Sequence, residues 1–193
     1  MSEYTNFVAM TRSNAKAFFD VFLSEMEPAL SRFASTIGCE LTYAADSLEQ
    51  VWEAVVPKLA WRSGYTPPDV GQPGPRIAPE QLEPPQDLPS WFHHPSAAGY
   101  ARFSAETLWL IDGAARYFGE TFIRNVGGRW ASGDAETEGY MFQNQPVIAR
   151  ITAEPVSPIQ TCAVLVARAL KPSAQQGPHI LADVYDHWWA QTP

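Results

Sequence analysis

Basic residues are scarce in this chain. Its 193 residues include 13 Lys and Arg against 21 Asp and Glu, a formal net charge of −8. Nucleic-acid binding through a broad basic face is thereby disfavoured, because neutralising phosphates requires clustered Lys and Arg. Charge of either sign is sparse, at 18% of residues against the usual quarter. Cysteine is nearly absent. Cys39 and Cys162 belong to no CxxC pair and sit among apolar neighbours, so two reduced, buried thiols are expected, with a disulfide between them left open. No apolar run approaches the roughly 18 residues of a membrane span. No basic-then-apolar leader is visible, so a cytoplasmic location without membrane contact is expected. Reaction signatures are missing as well: there is no GxSxG elbow, HExxH, CxxC or HxH. The glycine pair in GGRW, 127–130, follows a helix pattern, whereas a phosphate cradle precedes one.

What is abundant is apolar and aromatic surface. Hydrophobic residues make up 46% of the chain, with 7 Trp, 7 Tyr and 10 Phe. That is enough for a sizeable core in a single domain spanning residues 1–193. The clearest element is a helix from Ser104 to a Gly127–Gly128 stop. Leu108, Ile111, Ala115, Phe118 and Phe122 form one apolar stripe. Asp112, Arg116, Glu120 and Arg124 recur every four residues with alternating sign. That spacing predicts an exposed ladder of ion pairs, with catalytic carboxylates at Asp112 and Glu120 as the sharper alternative. Ser104 is the expected cap.

Upstream, Ser13 is expected to cap a helix carrying Phe18, Phe22, Met26, Leu30 and Phe33, kinked or split by Pro28 near Glu27 and stopped at Gly38. A short strand is expected at Glu40–Ala44. Asp46 with Glu49 reads as a capping box for a helix bearing Leu48, Val51, Trp52 and Val55, ended by Pro57. Residues 66–95 carry more than half of the 17 prolines and exclude both a helix and a central strand. This stretch is a long proline-rich loop or insertion, either packed in polyproline-like segments, mobile, or a ligand for a partner domain. Trp91 and Phe92 indicate that its end docks on the core.

After the long helix, Arg129–Ala131, Tyr140–Gln143 and Val147–Ile151 read as three short strands of an antiparallel meander. A helix with Ile159, Cys162, Val166 and Ala169 follows, and then a terminal helix at Ile180–Gln191 with Leu181, Val184, Trp188 and Trp189. The expected fold class is α+β, several helices packed on a small three-stranded antiparallel sheet.

The chemistry-bearing candidates are few. Asp183 and His187 are four apart on the terminal helix. With His179 and one of His93 and His94 they could complete a mononuclear metal site for a metal-dependent hydrolase; an i,i+4 hydrogen-bonded pair is the structural alternative. No cofactor is expected. The aromatic residues point instead to binding, with adjacent Trp188 and Trp189 too far apart around a helix to share one narrow stripe. The turn SGDAETEG, 132–139, carries Asp134, Glu136 and Glu138, and an acidic surface suits a basic partner. A homo-oligomeric structural component, with Trp188 or Trp189 at its interface, is a third reading.

The run IDGAARYFGETFIRNVGGRW, a Tyr-x-Gly-Glu helix ending in Gly-Gly-x-Trp before a strand, resembles a pattern in small uncharacterised bacterial α+β proteins. Some of these resemble immunity proteins of bacterial toxin systems. The likeness covers roughly residues 104–160 and carries no catalytic residue. It implies a cytosolic α+β protein that acts by binding, and occluding, a partner protein.

Overall fold

In a computed structural model, which describes residues 4–69, 72, 74, 75, 77, 81–92, 99–134, 139–151, 154–171 and 177–192, the first helix opens at Thr11. The Thr11 hydroxyl accepts from the Asn14 amide at 3.2 Å and caps α1 (Arg12–Ser24). Ser13, the expected cap, therefore lies inside the helix. The chain breaks at Glu25 and resumes as α2 (Met26–Ile37). Pro28 sits in the first turn of α2, where an absent N–H removes no intrahelical bond, so it begins a helix and does not kink one. Gly38 ends α2 in the left-handed region, φ 68°.

Residues 40–44 form no strand. The third helix, α3 (Ser47–Val55), does not use the expected capping box. Asp46 has helical backbone angles, which turn its side chain away from the free amides, and it makes no capping bond. Pro57 then falls in a single 3-10 turn, Val56–Lys58.

The long helix α4 (Ala105–Val126) is capped by Ser104, whose hydroxyl accepts from the Thr107 amide at 3.1 Å. It is the axis of the molecule, packed by α2, by α3, and by the two C-terminal helices α5 (Pro158–Ala169) and α6 (Ile180–Trp189). The expected stripe of Leu108, Ile111, Ala115, Phe118 and Phe122 is fully buried. The ladder beside it is not the exposed one expected, because Asp112 and Arg116 are each only 2% exposed. Two glycines let neighbours close on the helix. A Cβ on Gly113 would fall 2.3 Å from the Phe33 ring, and one on Gly119 would fall 2.3 Å from the Trp130 ring.

The sheet is smaller than expected. Strand β1 (Arg129–Ser132) pairs antiparallel with β2 (Pro146–Ala149), Arg129 opposite Ala149 and Ser132 opposite Pro146. Tyr140–Gln143 is not a strand. Residues 141–144 turn instead, and the turn closes on Gly133, which donates to Gln145 O at 2.7 Å and accepts from the Asn144 amide at 2.6 Å. Asn144 adopts φ 62°, incompatible with continuing a strand. The third partner is a single bridge, Ile148 to Val156. The fold is thus α+β, with six helices among the described residues packed on one two-stranded sheet.

The described end of the proline-rich segment is docked. Leu88, Trp91 and Phe92 are buried, and Pro85–Asp87 forms one 3-10 turn. Arg62 fastens the segment to the body through the Gln81 carbonyl and the Glu83 carboxylate. Trp109 Nε1 donates to Asp87 O at 2.9 Å. Among the described residues, no helix is long and apolar enough to cross a membrane.

Candidate functional site

The charged residues of α4 divide into two sets. Arg116 Nε donates to Asp112 Oδ1 at 2.9 Å, and its Nη1 donates to the Phe22 carbonyl at 2.7 Å. Its Nη2 lies 3.5 Å from Glu25 Oε2, and its guanidinium stacks 3.9 Å from the Phe22 ring centre. Trp91 Nε1 donates to the same Asp112 oxygen at 2.9 Å, and Ser90 donates to Glu25. Every element of this cluster is answered by another. It ties α4 to the α1–α2 corner and to the docked proline-rich segment, and such a buried, mutually satisfied set is a fastening. Asp112 is thus neither part of an exposed ladder nor presented to a cleft that could admit a substrate.

Glu120 and Arg124 are the outer pair, 3.4 Å apart. Glu120 Oε1 accepts from Trp130 Nε1 at 2.9 Å, and Arg124 lies 3.5 Å over the centre of the Tyr43 ring. This explains the Tyr-x-Gly-Glu and Gly-Gly-x-Trp spacing in physical terms. Tyr117 reaches out to Ser47 Oγ at 2.5 Å and to the Tyr43 amide, Gly119 makes room for Trp130, and Glu120 receives its indole N–H. The turn after α4 brings that Trp back over the helix, where it also meets Phe22 edge-on. Tyr43 is held at φ 60°, a costly conformation for a non-glycine residue. Asn125 fixes its carbonyl at 2.8 Å. Burial raises the Tyr43 phenol above its ordinary pKa, with Arg124 opposing.

The terminal-helix candidates do not converge. His179 Nδ1 is 2.9 Å from Glu49 Oε2 of α3, and His187 Nε2 is 2.7 Å from Gln191 Nε2, so the expected Asp183–His187 hydrogen bond is replaced on the histidine side. His93 and His94 lie outside the described residues, as do Glu136 and Glu138. Among the described residues no group of three His, Cys, Asp or Glu is placed to hold a metal ion. Trp188 is buried against Phe118 and Phe122, which removes it from the surface, whereas Trp189 is 58% exposed. Both cysteines are free; Cys39 is half-buried, not buried as expected, and burial pushes the Cys162 thiol up to about 12.

The features best suited to meeting another molecule gather around α1. A cleft of about 860 Å³ opens between the start of α1 and residues 132–134 and 143–144, lined by Met10, Ala15 and Phe19 among the apolar residues and by Asp134, Gln143 and Asn144 among the polar ones. Arg12 crosses it to within 3.6 Å of Asp134. Asn144 Nδ2 donates to Phe7 O at 2.8 Å, which holds the 7–10 turn beside the 141–144 turn. Each turn exposes one large apolar side chain, Val8 at 87% and Met141 at 68%. Val21 and Leu23, further along α1, are exposed as well. A second cleft of about 600 Å³ lies at the other end of α1, between α2, Tyr43 and the last turns of α4. Of the expected contact residues that are described, Asp134, Trp188 and Trp189, only Asp134 lines one of these clefts. Sequence reasoning missed Val8, Met141 and Tyr43, whose exposure or strain depends on turns with no periodic signature. Comparison of the chain with protein-family models, curated proteins and solved structures finds no match.

Proposed function

We propose that this chain is a non-catalytic protein-binding module of the cytoplasm, immunity-like in action, which occludes a partner protein. The observation that carries this reading is the concentration of exposed apolar side chains around α1. Among the described residues, Val8, Val21, Leu23 and Met141 are four of the seven large hydrophobics left exposed; Leu23 lines the second cleft, and Val8 and Met141 stand on the two turns that Asn144 holds together beside the first. Apolar anchors beside polar rims are what protein interfaces use. The spent state of the Asp112–Arg116 cluster supports the same reading, since the most deeply placed carboxylate on α4 is committed to the fold. Asp134, with Glu136 and Glu138 on the same acidic stretch of sequence, contributes charge that draws a basic partner.

The test is a photo-crosslinking side chain placed at Met141, with Val164 on α5 as the control position, in extracts of cells that make the protein. One partner captured from position 141 and not from 164 is the expected result. Charge reversal at Asp134, Glu136 and Glu138 should then slow association with that partner at low salt; an unchanged on-rate would remove the steering element. The exposed Trp189 supports a second reading, self-association through α6. Light scattering over a concentration series tests it, and a monomer throughout counts against it.

A further inference from the structure

The small sheet is closed along one edge and open along the other. In an antiparallel pair, successive residues aim their N–H and C=O at opposite edges. Gly133 donates to Gln145 O at 2.7 Å and continues the β1–β2 register, so the residues in phase with it, Arg129 and Ala131, aim theirs at β2. Ile148 of β2 turns outward and exchanges two bonds with Val156, at 2.8 and 3.1 Å, which closes that edge. Trp130 and Ser132 turn outward on the opposite side. Among the described residues, no hydrogen bond reaches the main-chain N–H or C=O of either. Helix α1 approaches β1 through rings, Phe22 edge-on to Trp130, and supplies no main-chain partner. At Ser132 the edge borders open space, because this residue lines the first cleft together with Met10, Ala15 and Phe19. Open edges are ordinarily blunted by a proline, a covering segment or an inward-pointing charge. The β1 sequence, RWAS, has no proline, and its one charged residue, Arg129, is exposed.

We infer that the outer edge of β1 is a docking site for an extended segment of a partner protein, which joins the sheet as a third strand antiparallel to β1. The edge itself sets the backbone of its occupant. Donors and acceptors two residues apart are matched by an extended chain and not by a helix, whose own N–H and C=O groups are already used. The pleat then places the side chains. The residue opposite Ser132 projects on the same face as Ser132, toward the cleft, and an aliphatic side chain there meets Met10, Ala15 and Phe19. Charge sets the direction. Arg129, at one end of the edge, has no ion-pair partner among the described residues. Asp134, past the other end, has only the exposed Arg12 at 3.6 Å. An antiparallel segment with a basic residue near its start and an acidic one near its end matches both. The inference rests on the protein-binding reading above and adds the conformation and side-chain pattern of the bound segment.

The probe is the end-capped peptide Lys-Thr-Val-Thr-Thr-Glu, which in antiparallel register sets its lysine opposite Asp134, its valine opposite Ser132 and its glutamate opposite Arg129. With the full chain labelled with 15N, millimolar peptide should slow amide hydrogen exchange at Trp130 and Ser132 by about tenfold or more and leave Ala131, already paired with Val147, unchanged. Methylating the valine nitrogen removes the N–H that meets the Ser132 carbonyl and should abolish the effect. Methylating the nitrogen of the threonine after it, which faces away from β1, should preserve it. Exchanging the lysine and the glutamate should weaken binding about fivefold. Ser132→Pro removes the edge donor at a position where a strand tolerates proline, and should abolish peptide binding while the thermal midpoint holds; if that variant does not fold, the two methylated peptides decide the matter on the unaltered chain. Unchanged exchange at Trp130 and Ser132, an equal response to the two methylated peptides, or full binding to a folded Ser132→Pro chain would overturn the edge site. A natural partner that crosslinks from position 141 but leaves the Trp130 and Ser132 amides unprotected would overturn it too, while leaving the protein-binding reading in place. Peptide protection of those two amides with no partner captured from position 141 would support the edge site and contradict that reading.

Discussion

Asp112–Arg116 and Glu120–Arg124 stand two turns apart on one helix, with the same spacing and the same order of charges, and their environments are opposite. The inner pair is closed off from water and surrounded by Trp91, Phe22 and Glu25. The outer pair sits at a rim, with half of the Arg124 side chain exposed. The spacing alone fixes only that the partners can meet. What they are worth is set by desolvation: removing one member of a buried pair strands the other, whereas an exposed pair is screened. The inner pair fastens three segments to α4, and the outer pair shapes the edge of a cleft.

That contrast can be broken most easily from the inside. Asp112→Ala leaves a buried guanidinium with one weaker carboxylate and deprives the Trp91 indole of its acceptor; urea unfolding should register a loss of about 3–5 kcal/mol. A loss under 1 kcal/mol would mean that water reaches Arg116. Alkaline unfolding probes the same region, because Tyr100 packs edge-on against Trp91 at 5.4 Å and its phenol is pushed up to about 12 by burial. With the folded pKa above the ordinary value near 10, its contribution is intact below pH 10 and is lost as pH rises toward 12, at most about 2–3 kcal/mol. Tyr100→Phe should flatten stability against pH in that window; an unaltered curve would place the loss in other tyrosines.

Between the two pairs, Gly119→Ala drives a methyl into the Trp130 ring and should cost about 1–3 kcal/mol, with a visible change in indole fluorescence. The smallest effect belongs to the outer pair. Arg124→Ala should lower stability by only about 0.5–1 kcal/mol, and added salt should shrink the difference from the unaltered chain. If Arg124→Ala matched Asp112→Ala, burial would not be what separates them.

Much of the helical frame was legible. The stripe from Leu108 to Phe122, the Ser104 cap, the Gly38 stop and the docking of Trp91 and Phe92 follow from periodicity and from turn chemistry that is local. The burial of Asp112 and Arg116 was hidden because an i,i+4 ladder looks identical on a wet face and in a core. The signal lay in their neighbours: Thr107 to Gly119 is apolar or small around its whole circumference, the pattern of a helix covered on every side. The missing middle strand has a similar cause. Tyr140–Gln143 has strand-like composition, but Gly133 and the left-handed Asn144 close a turn there, and tertiary pairing decides between the two. Of the candidate surface, Asp134 was legible as part of an acidic turn. Val8 and Met141 were not, because single apolar residues in turns carry no pattern until Asn144 brings their turns together.

The central claim, that the α1 face is where this molecule meets its partner, is tested most directly by hydrogen exchange on the complex with the captured partner. Slowed exchange in residues 7–24 and 139–145, with α6 unchanged, is the predicted result. Protection of α6, residues 180–189, with the α1 face exchanging as in the free protein, would contradict the account.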